Sequence, residues 1–471
     1  MYLKNQTFFV LGLSRSGKAA AEFLLSQGAL VYIYDDANSE RVEKTAQELE
    51  KKGAKRVVKE QLVKLPDVCD VLVLSPGIPI DHSLAVAFKR KKKAVIGETE
   101  LAARYIKTPV VAVTGTNGKT TTVSMIAETL CKGGFNAKAC GNIGTPMIEM
   151  REMDETGVAV AEISSFQMET LNSLCPHIAV VLNITEDHLN RHYNMENYVF
   201  LKAKLLKNLT ESEFAVLNYD DVVVRGFAEK TKAKTVWFST RERVQGAYFA
   251  DGALYFKGEK ILAATDMLTD GLHNVQNALA CIAVAKIMGV KSADIAAVLT
   301  SFKGIKHRVE YIGTVNGVAY IDDSKGTNVD ATVKAVSCMK KPTLLLLGGK
   351  NKGYDYAKLF AVLKKSAVRH AVLYGENRYV LLKSARENGF ESVTVCENFT
   401  IAVKVASLVA KVDETVLLSP ASASFDEFAG YEERGDRFVE IVRSLAVEPV
   451  EKPQEQNGNE TKDGDLDERT E

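Results

Sequence analysis

The chain has 471 residues, 46% of them apolar, which at about 100 to 200 residues per domain predicts two to four domains, each with a core. Lysine plus arginine and aspartate plus glutamate both number 60, so formal net charge is zero and no global field draws the protein to nucleic acid or anionic lipid. The opening apolar run Phe8–Leu11 is too short for a signal peptide or membrane insertion, and seven dispersed cysteines without a C-x-x-C pair argue against a disulfide framework or structural zinc. A cytoplasmic protein is expected.

Residues 7–11 (TFFVL) and 30–34 (LVYIY) read as strands joined by a helix over 18–27, a βαβ unit. Val71–Leu74 reads as a further strand, ended by the prolines of Ser75-Pro76-Gly77-Ile78-Pro79 at the sheet edge where open α/β folds bind ligands. These elements predict a first domain over 1–106. A second, over 107–303, starts with a strand at 109–113 and a helix at 123–131. It continues with strands at 158–162, 178–183 and 214–218 and helices over 165–174, 196–209 and 272–288. Strands at 318–321, 343–347, 371–373 and 415–418, alternating with helical segments, predict a third α/β domain over 304–446. The tail 447–471 is acidic and nearly devoid of apolar residues, and is expected to be disordered.

Between the strand at 109–113 and its helix lies Gly115-Thr116-Asn117-Gly118-Lys119-Thr120-Thr121. This arrangement sets backbone N–H groups and a helix N-terminus around a phosphate, with Lys119 as a point charge and Thr120 as a hydroxyl for Mg²⁺. It departs from G-x-x-x-x-G-K-[ST] at Val113, where glycine belongs, and ATP is the expected ligand. Downstream, Gly141-Asn142-Ile143-Gly144, the Glu162–Gln167 segment and the Asn183–His188 segment each follow an apolar strand. Magnesium takes oxygen ligands, so Glu162 suits a direct ligand and Asn142 a neutral one. Taken singly, Glu162 has the lesser alternative of a charge favoured at a helix N-terminus, and His188 is more commonly a solvent-facing or core-satisfied histidine.

Together GTNGKTTT, GNIG, EISSFQ and LNITEDHLNRH resemble the Mur ligase family, ATP-dependent amide-bond-forming enzymes of peptidoglycan precursor synthesis. The resemblance continues through LHNVQN (272–277), Lys306-His307-Arg308, DDSKGTN (322–328), GGKNK (348–352) and SPASASFD (419–426), and covers everything except the tail. EISSFQ, DDSKGTN and SPASASFDEF look like the branch that adds D-glutamate to UDP-N-acetylmuramoyl-L-alanine. The implied fold class is α/β in three domains: a Rossmann-like N-terminal domain for the UDP moiety, a central P-loop ATPase domain with a mostly parallel sheet, and a Rossmann-like C-terminal domain that closes over ATP.

The resemblance also implies roles. Lys119 holds phosphates; Thr120 and Glu162 bind one Mg²⁺ and His188 a second. Lys202, four residues after Tyr198, serves as a carbamate ligand, while Phe200 and Leu201 stand where relatives usually have small residues. Lys204 and Lys207 on the same helix are expected to be solvated. Asn274 and Asn277 meet adenine, and Arg308 and Asp323 the phosphates and ribose. Lys325 lies near the transferred phosphoryl; Thr327, Lys352, Ser424 and Tyr431 hold the D-glutamate carboxylates. Ser14, Arg15, Ser16, Asp35, Asp36, Ser75, Gly77 and Asn142 are the expected contacts of the UDP-linked substrate, with a monomer as the working unit. A folylpolyglutamate-type ligase would normally lack the first domain. A catalytically idle nucleotide-binding module would not be expected to keep Lys119, Glu162, His188 and Lys202.

Overall fold

Thr7–Leu11 (β1), Leu30–Tyr34 (β2), Lys55–Arg56 (β3), Val71–Leu74 (β4) and Ala94–Ile96 (β5) form a parallel sheet in the order β3-β2-β1-β4-β5 in the computed structural model. Burial on both faces is why β1 and β4 read as continuous apolar runs rather than alternating ones. The strand order reverses at β1, so the loops after β1 and β4 flank a topological switch point. A Cβ on Gly17 would stand 1.8 Å from the Gly12 carbonyl oxygen, so only glycine lets the helix Arg15–Ser26 approach the turn after β1. The structure describes residues 3–445 apart from 5, 38, 270 and 352, and the expected disorder of 447–471 lies outside the described residues.

The second sheet contains Val110–Thr114 (β6), Asn136–Gly141 (β7), Gly157–Glu162 (β8), Ile178–Val181 (β9), Phe214–Asn218 (β10), Lys234–Ser239 (β11), Gly246–Ala250 (β12), Ala253–Phe256 (β13) and Glu259–Ala263 (β14). Their order is β14-β13-β12-β11-β10-β9-β6-β8-β7, parallel from β7 to β12 and antiparallel from β12 to β14. The wholly buried β6 lies between β8 and β9, so the loop after β6 opens beside the ends of both neighbours. One continuous apolar core, from Val10 through Ala112 and Ala161 to Leu217, joins the first two sheets. Met1–Ile305 is accordingly one compact unit.

A second unit begins at Lys306 and holds Glu310–Val315 (β15), Val318–Asp322 (β16), Thr343–Gly348 (β17), Val368–Tyr374 (β18), Val393–Val395 (β19) and Thr415–Leu418 (β20). The order is β15-β16-β20-β17-β18-β19, with only β15 antiparallel to its neighbour. The chain is thus a mixed α/β protein with three sheets rich in parallel pairing. Among the described residues no helix is long and apolar enough to cross a membrane.

Several elements differ from their sequence expectation. The helix expected over 165–174 spans only Ser165–Met168, because the Glu100 carboxylate takes the backbone N–H groups of Asn172 and Ser173 at 2.7 and 2.9 Å and draws the chain out of helical register. The helix expected over 196–209 is Met195–Ala203, capped by the Asn194 side chain, followed by a 3₁₀ turn. The helix expected at 123–131 begins four residues earlier, at Lys119, directly on the left-handed Gly118. Strands β3, β5, β7, β11 to β15 and β19 have no counterpart among the expected strands.

Candidate active site

Gly115 and Gly118 both have positive φ, and a Cβ on Gly118 would stand 2.3 Å from Asn277 Oδ1, so the loop needs glycine there twice over. The next segment of the sheet edge fixes the rim. Thr116 N–H donates to Asn183 O at 2.8 Å, Asn117 N–H to Asn183 Oδ1 at 2.8 Å, and the Thr116 hydroxyl lies 3.0 Å from Tyr198 Oη. The Lys119 ammonium folds back over the loop and donates to the carbonyls of Gly115 and Thr116, both at 2.9 Å. Asn277 sits behind the loop, where its Oδ1 accepts from Thr122 Oγ1 at 3.2 Å and its amide meets Asn274 Oδ1 at 3.5 Å.

Glu162, at the end of β8, is buried; its two oxygens accept from Thr120 Oγ1 and Asn142 Nδ2, each at 2.8 Å. Among the described residues no lysine or arginine forms an ion pair with it. A buried carboxylate flanked by a hydroxyl and an amide, with only neutral donors on its oxygens, is a hard-oxygen donor set that suits Mg²⁺. His188 lies at the same edge in a left-handed conformation, its ring 4.8 Å from that of Phe166 and its Nε2 3.5 Å from Asp187.

Lys202 is 1% exposed, and its amine donates to Gly115 O at 2.9 Å while lying 4.7 Å above the Tyr198 ring. Burial, then the Lys119 charge, hold it well below its ordinary value, against the opposing pull of Asp187 and Glu162. Of the two residues that depart from the family pattern, Phe200 turns to solvent, 65% exposed, and Leu201 packs half-buried against the core of the first unit. Lys204 is not solvated as expected; it is half-buried, with its ammonium 2.5 Å from the Met168 carbonyl, because the chain folds Met168 back beside it. Lys207 is exposed.

On the first sheet, Asp35 and Asp36 line a 680 Å³ cavity with Leu13 and Tyr34. Asp35 accepts from the backbone N–H groups of Leu13 and Ala37 at 2.6 and 2.9 Å, and Asp36 from Tyr34 Oη at 2.9 Å. Ser14 and Arg15 are exposed at the start of the helix, Ser16 is half-buried, and Arg15 Nη1 donates to Gly144 O at 3.3 Å. Ser75 instead points inward, donating to Gly12 O at 2.9 Å, and the Gly77 carbonyl accepts from Arg191. A smaller cavity of 330 Å³, lined by Lys107, Cys175, His177 and Glu213, lies at the amino ends of β6 and β9, away from the phosphate loop.

Within the second unit, Asp323 is buried, accepts from Ser419 Oγ at 2.6 Å, and is pushed up to about 7 by burial against that bond and the Arg308 charge. Arg308 is exposed. Lys325 Nζ lies 5.4 Å over the Tyr431 ring, Thr327 is half-buried, and Ser424 is buried at the end of the loop after β20. Lys352 lies outside the described residues. Arg434, which no motif marked, is fully buried: its guanidinium donates to Ser324 Oγ at 3.0 Å, Ser324 O at 2.8 Å and Ser422 O at 3.1 Å. It thereby ties the loop carrying Lys325 and Thr327 to the loop carrying Ser424. Its partners are mainly carbonyls, which leave no signature in a sequence.

The Mur ligase middle-domain model matches residues 113–285, and the model described as Mur ligase, glutamate ligase domain matches 307–422. The UDP-N-acetylmuramoylalanine–D-glutamate ligase of Pelotomaculum thermopropionicum is 40% identical over 449 residues, covering 93% of this chain and 97% of that protein. The chain belongs to the Mur ligase family. A ligase of the same name from Bacillus cereus is 38% identical over 445 residues, covering 94% and 98%. The UDP-N-acetylmuramate-alanine ligase MurC from Thermotoga maritima matches in structure with a TM-score of 0.58 over 93% of this chain and 99% of that one; at 19% identity this likeness shows the fold. As a Mur ligase, the chain is an amide-bond-forming enzyme of peptidoglycan precursor synthesis, and its phosphate loop, Glu162 and Lys202 share one sheet edge.

Proposed function

We propose that this chain joins D-glutamate to UDP-N-acetylmuramoyl-L-alanine with ATP, through an acyl phosphate, and that it does so as a cytoplasmic monomer. The observation that carries the reading is that Lys119 and Lys202 both donate to the Gly115 carbonyl at 2.9 Å, beside buried Glu162. Two ammonium groups on one carbonyl repel, and burial together with the Lys119 charge pushes the Lys202 amine toward its neutral form. A neutral amine adds CO₂ to become a carbamate, which turns a cation into a carboxylate-like ligand.

Residues 1–106 hold the UDP moiety, through Asp35 and Asp36 at the cavity and the backbone near Ser14, Arg15, Ser16, Ser75, Gly77 and Asn142. Residues 107–303 bind ATP, and 304–446 bring D-glutamate. Lys119 offsets phosphate charge while Asn274 and Asn277 meet adenine and Arg308 and Asp323 the phosphates and ribose. Thr120, Glu162, His188 and the Lys202 carbamate hold two Mg²⁺ ions, which supply charge neutralisation when bound.

A carboxylate cannot condense with an amine directly, because oxide is not a leaving group. An acceptor carboxylate oxygen therefore attacks the γ-phosphorus, the bond to the β-phosphate oxygen breaks, and ADP leaves. The D-glutamate nitrogen then attacks the carbonyl carbon, the carbon–oxygen bond to phosphate breaks, and the nitrogen releases a proton. Lys325 stabilises the transferred phosphoryl, and Thr327, Lys352, Ser424 and Tyr431 orient the amino acid.

The full chain with ATP, Mg²⁺ and UDP-N-acetylmuramoyl-L-alanine should release phosphate with D-glutamate and not with L-glutamate, L-alanine or a diamino acid. Release with any of those three in place of D-glutamate, or with a folate acceptor, would replace this reading.

A further inference from the structure

The stretch after His188 has no role in the scheme above, yet Arg191 and Tyr193 both reach from it to the loop after β4. Arg191 is 13% exposed at the side chain and stacks 4.9 Å over the Phe166 ring. Its Nε and Nη2 donate to the two Glu169 oxygens at 2.9 and 2.7 Å. Three successive carbonyls of the loop after β4 also accept from the fork: Gly77 O from Nη1 at 3.3 Å, and Pro76 O and Ile78 O from Nη2, which they share with Glu169, at 3.3 and 2.9 Å. Two residues on, Tyr193 Oη donates to Asp81 Oδ2 at 2.5 Å.

We propose that Arg191 is a positioning residue that sets the acceptor cavity in register with the segment carrying His188. The proposal rests on the reading of the first sheet as the acceptor's site. On one side the gripped loop continues into Ser75, whose hydroxyl holds Gly12 O, and the next residue, Leu13, is held by Asp35 in the cavity wall. On the other side the Phe166 ring beneath the guanidinium lies 4.8 Å from the His188 ring. A planar fork with five donors suits three carbonyls and a carboxylate at once; a lysine ammonium does not. Glu169 offsets the cost of burying the charge and fixes the direction of the fork.

The test uses full-length Arg191→Ala and Arg191→Lys, with steady-state kinetics in each substrate and calorimetry with UDP alone. The KM for UDP-N-acetylmuramoyl-L-alanine should rise about tenfold in both variants, and UDP affinity should fall about as much, while the KM for ATP stays within about twofold. If Arg191→Ala does not fold, Arg191→Lys decides, since it keeps the stem and charge. An unchanged acceptor KM and UDP affinity, or an equal rise in the KM for ATP, would overturn the proposal. If the wild type binds UDP but does not ligate D-glutamate, the function assigned above fails, and the UDP affinities alone still judge Arg191.

Discussion

Lys202→Ala should lose activity on the order of a thousandfold, and acetate should restore part of the rate. The argument starts from charge. The Lys202 amine shares the Gly115 carbonyl with Lys119 and is buried beneath the loop, so its cationic form is disfavoured by burial and by a like charge. The amine is therefore more readily neutral, and so more readily takes up CO₂, than an ordinary surface lysine, which is held as ammonium. Truncation to alanine leaves a space that a short carboxylate can occupy with the same charge. Lys204→Ala should cost some stability, since its ammonium meets the Met168 carbonyl, but should not respond to acetate. Acetate rescue of the Lys204 variant instead would assign the other lysine. Protonation of the amine opposes carbamate formation, so wild-type activity should fall on bicarbonate removal at mildly acidic pH and return with bicarbonate.

Lys119→Ala should also lose activity by about three orders of magnitude, for a different reason and with no rescue by acetate. Its ammonium donates to loop carbonyls of Gly115 and Thr116, while the loop's shape rests on Gly118, Asn183, Thr116 and Asn277. Removing it deletes the positive charge that phosphate groups need and leaves those ties in place, so the melting temperature should stay within a few degrees, corresponding to about 1 kcal/mol. Normal turnover in this variant would remove the phosphate loop from the scheme. A collapsed melting transition would show that the lysine supports the fold.

The strands that position the site were legible because they are buried on both faces: Thr7–Leu11, Val71–Leu74, Val110–Thr114 and Gly157–Glu162 carry little but apolar and small residues. The glycine loop was legible because a positive φ leaves few alternatives. The antiparallel strands β12 to β14 carry a different signature, in their turns rather than in their apolar pattern. Asp251-Gly252 and Lys257-Gly258, all four at positive φ, are two-residue hairpin turns, and such pairs between short apolar runs mark hairpins even when alternation is weak. The shortened helix after Ser165 could not be read locally, because the group that ends it, Glu100, lies about seventy residues earlier in the chain. Arg191 and Arg434 were missed for the same kind of reason: their partners are mostly carbonyls, which every residue has. The inward turn of the Ser75 hydroxyl to Gly12 could not be read locally either, since it depends on the close approach of β1 and β4.

Transfer of label from the acceptor tests the acyl phosphate most directly. UDP-N-acetylmuramoyl-L-alanine carrying ¹⁸O in both oxygens of its alanyl carboxylate would be turned over with ATP and D-glutamate, and the released phosphate analysed by mass. One labelled oxygen should appear in each phosphate, the other remaining in the new amide carbonyl, because the oxygen that attacks phosphorus leaves with it. Unlabelled phosphate, or label found in AMP, would contradict phosphoryl activation by this chain.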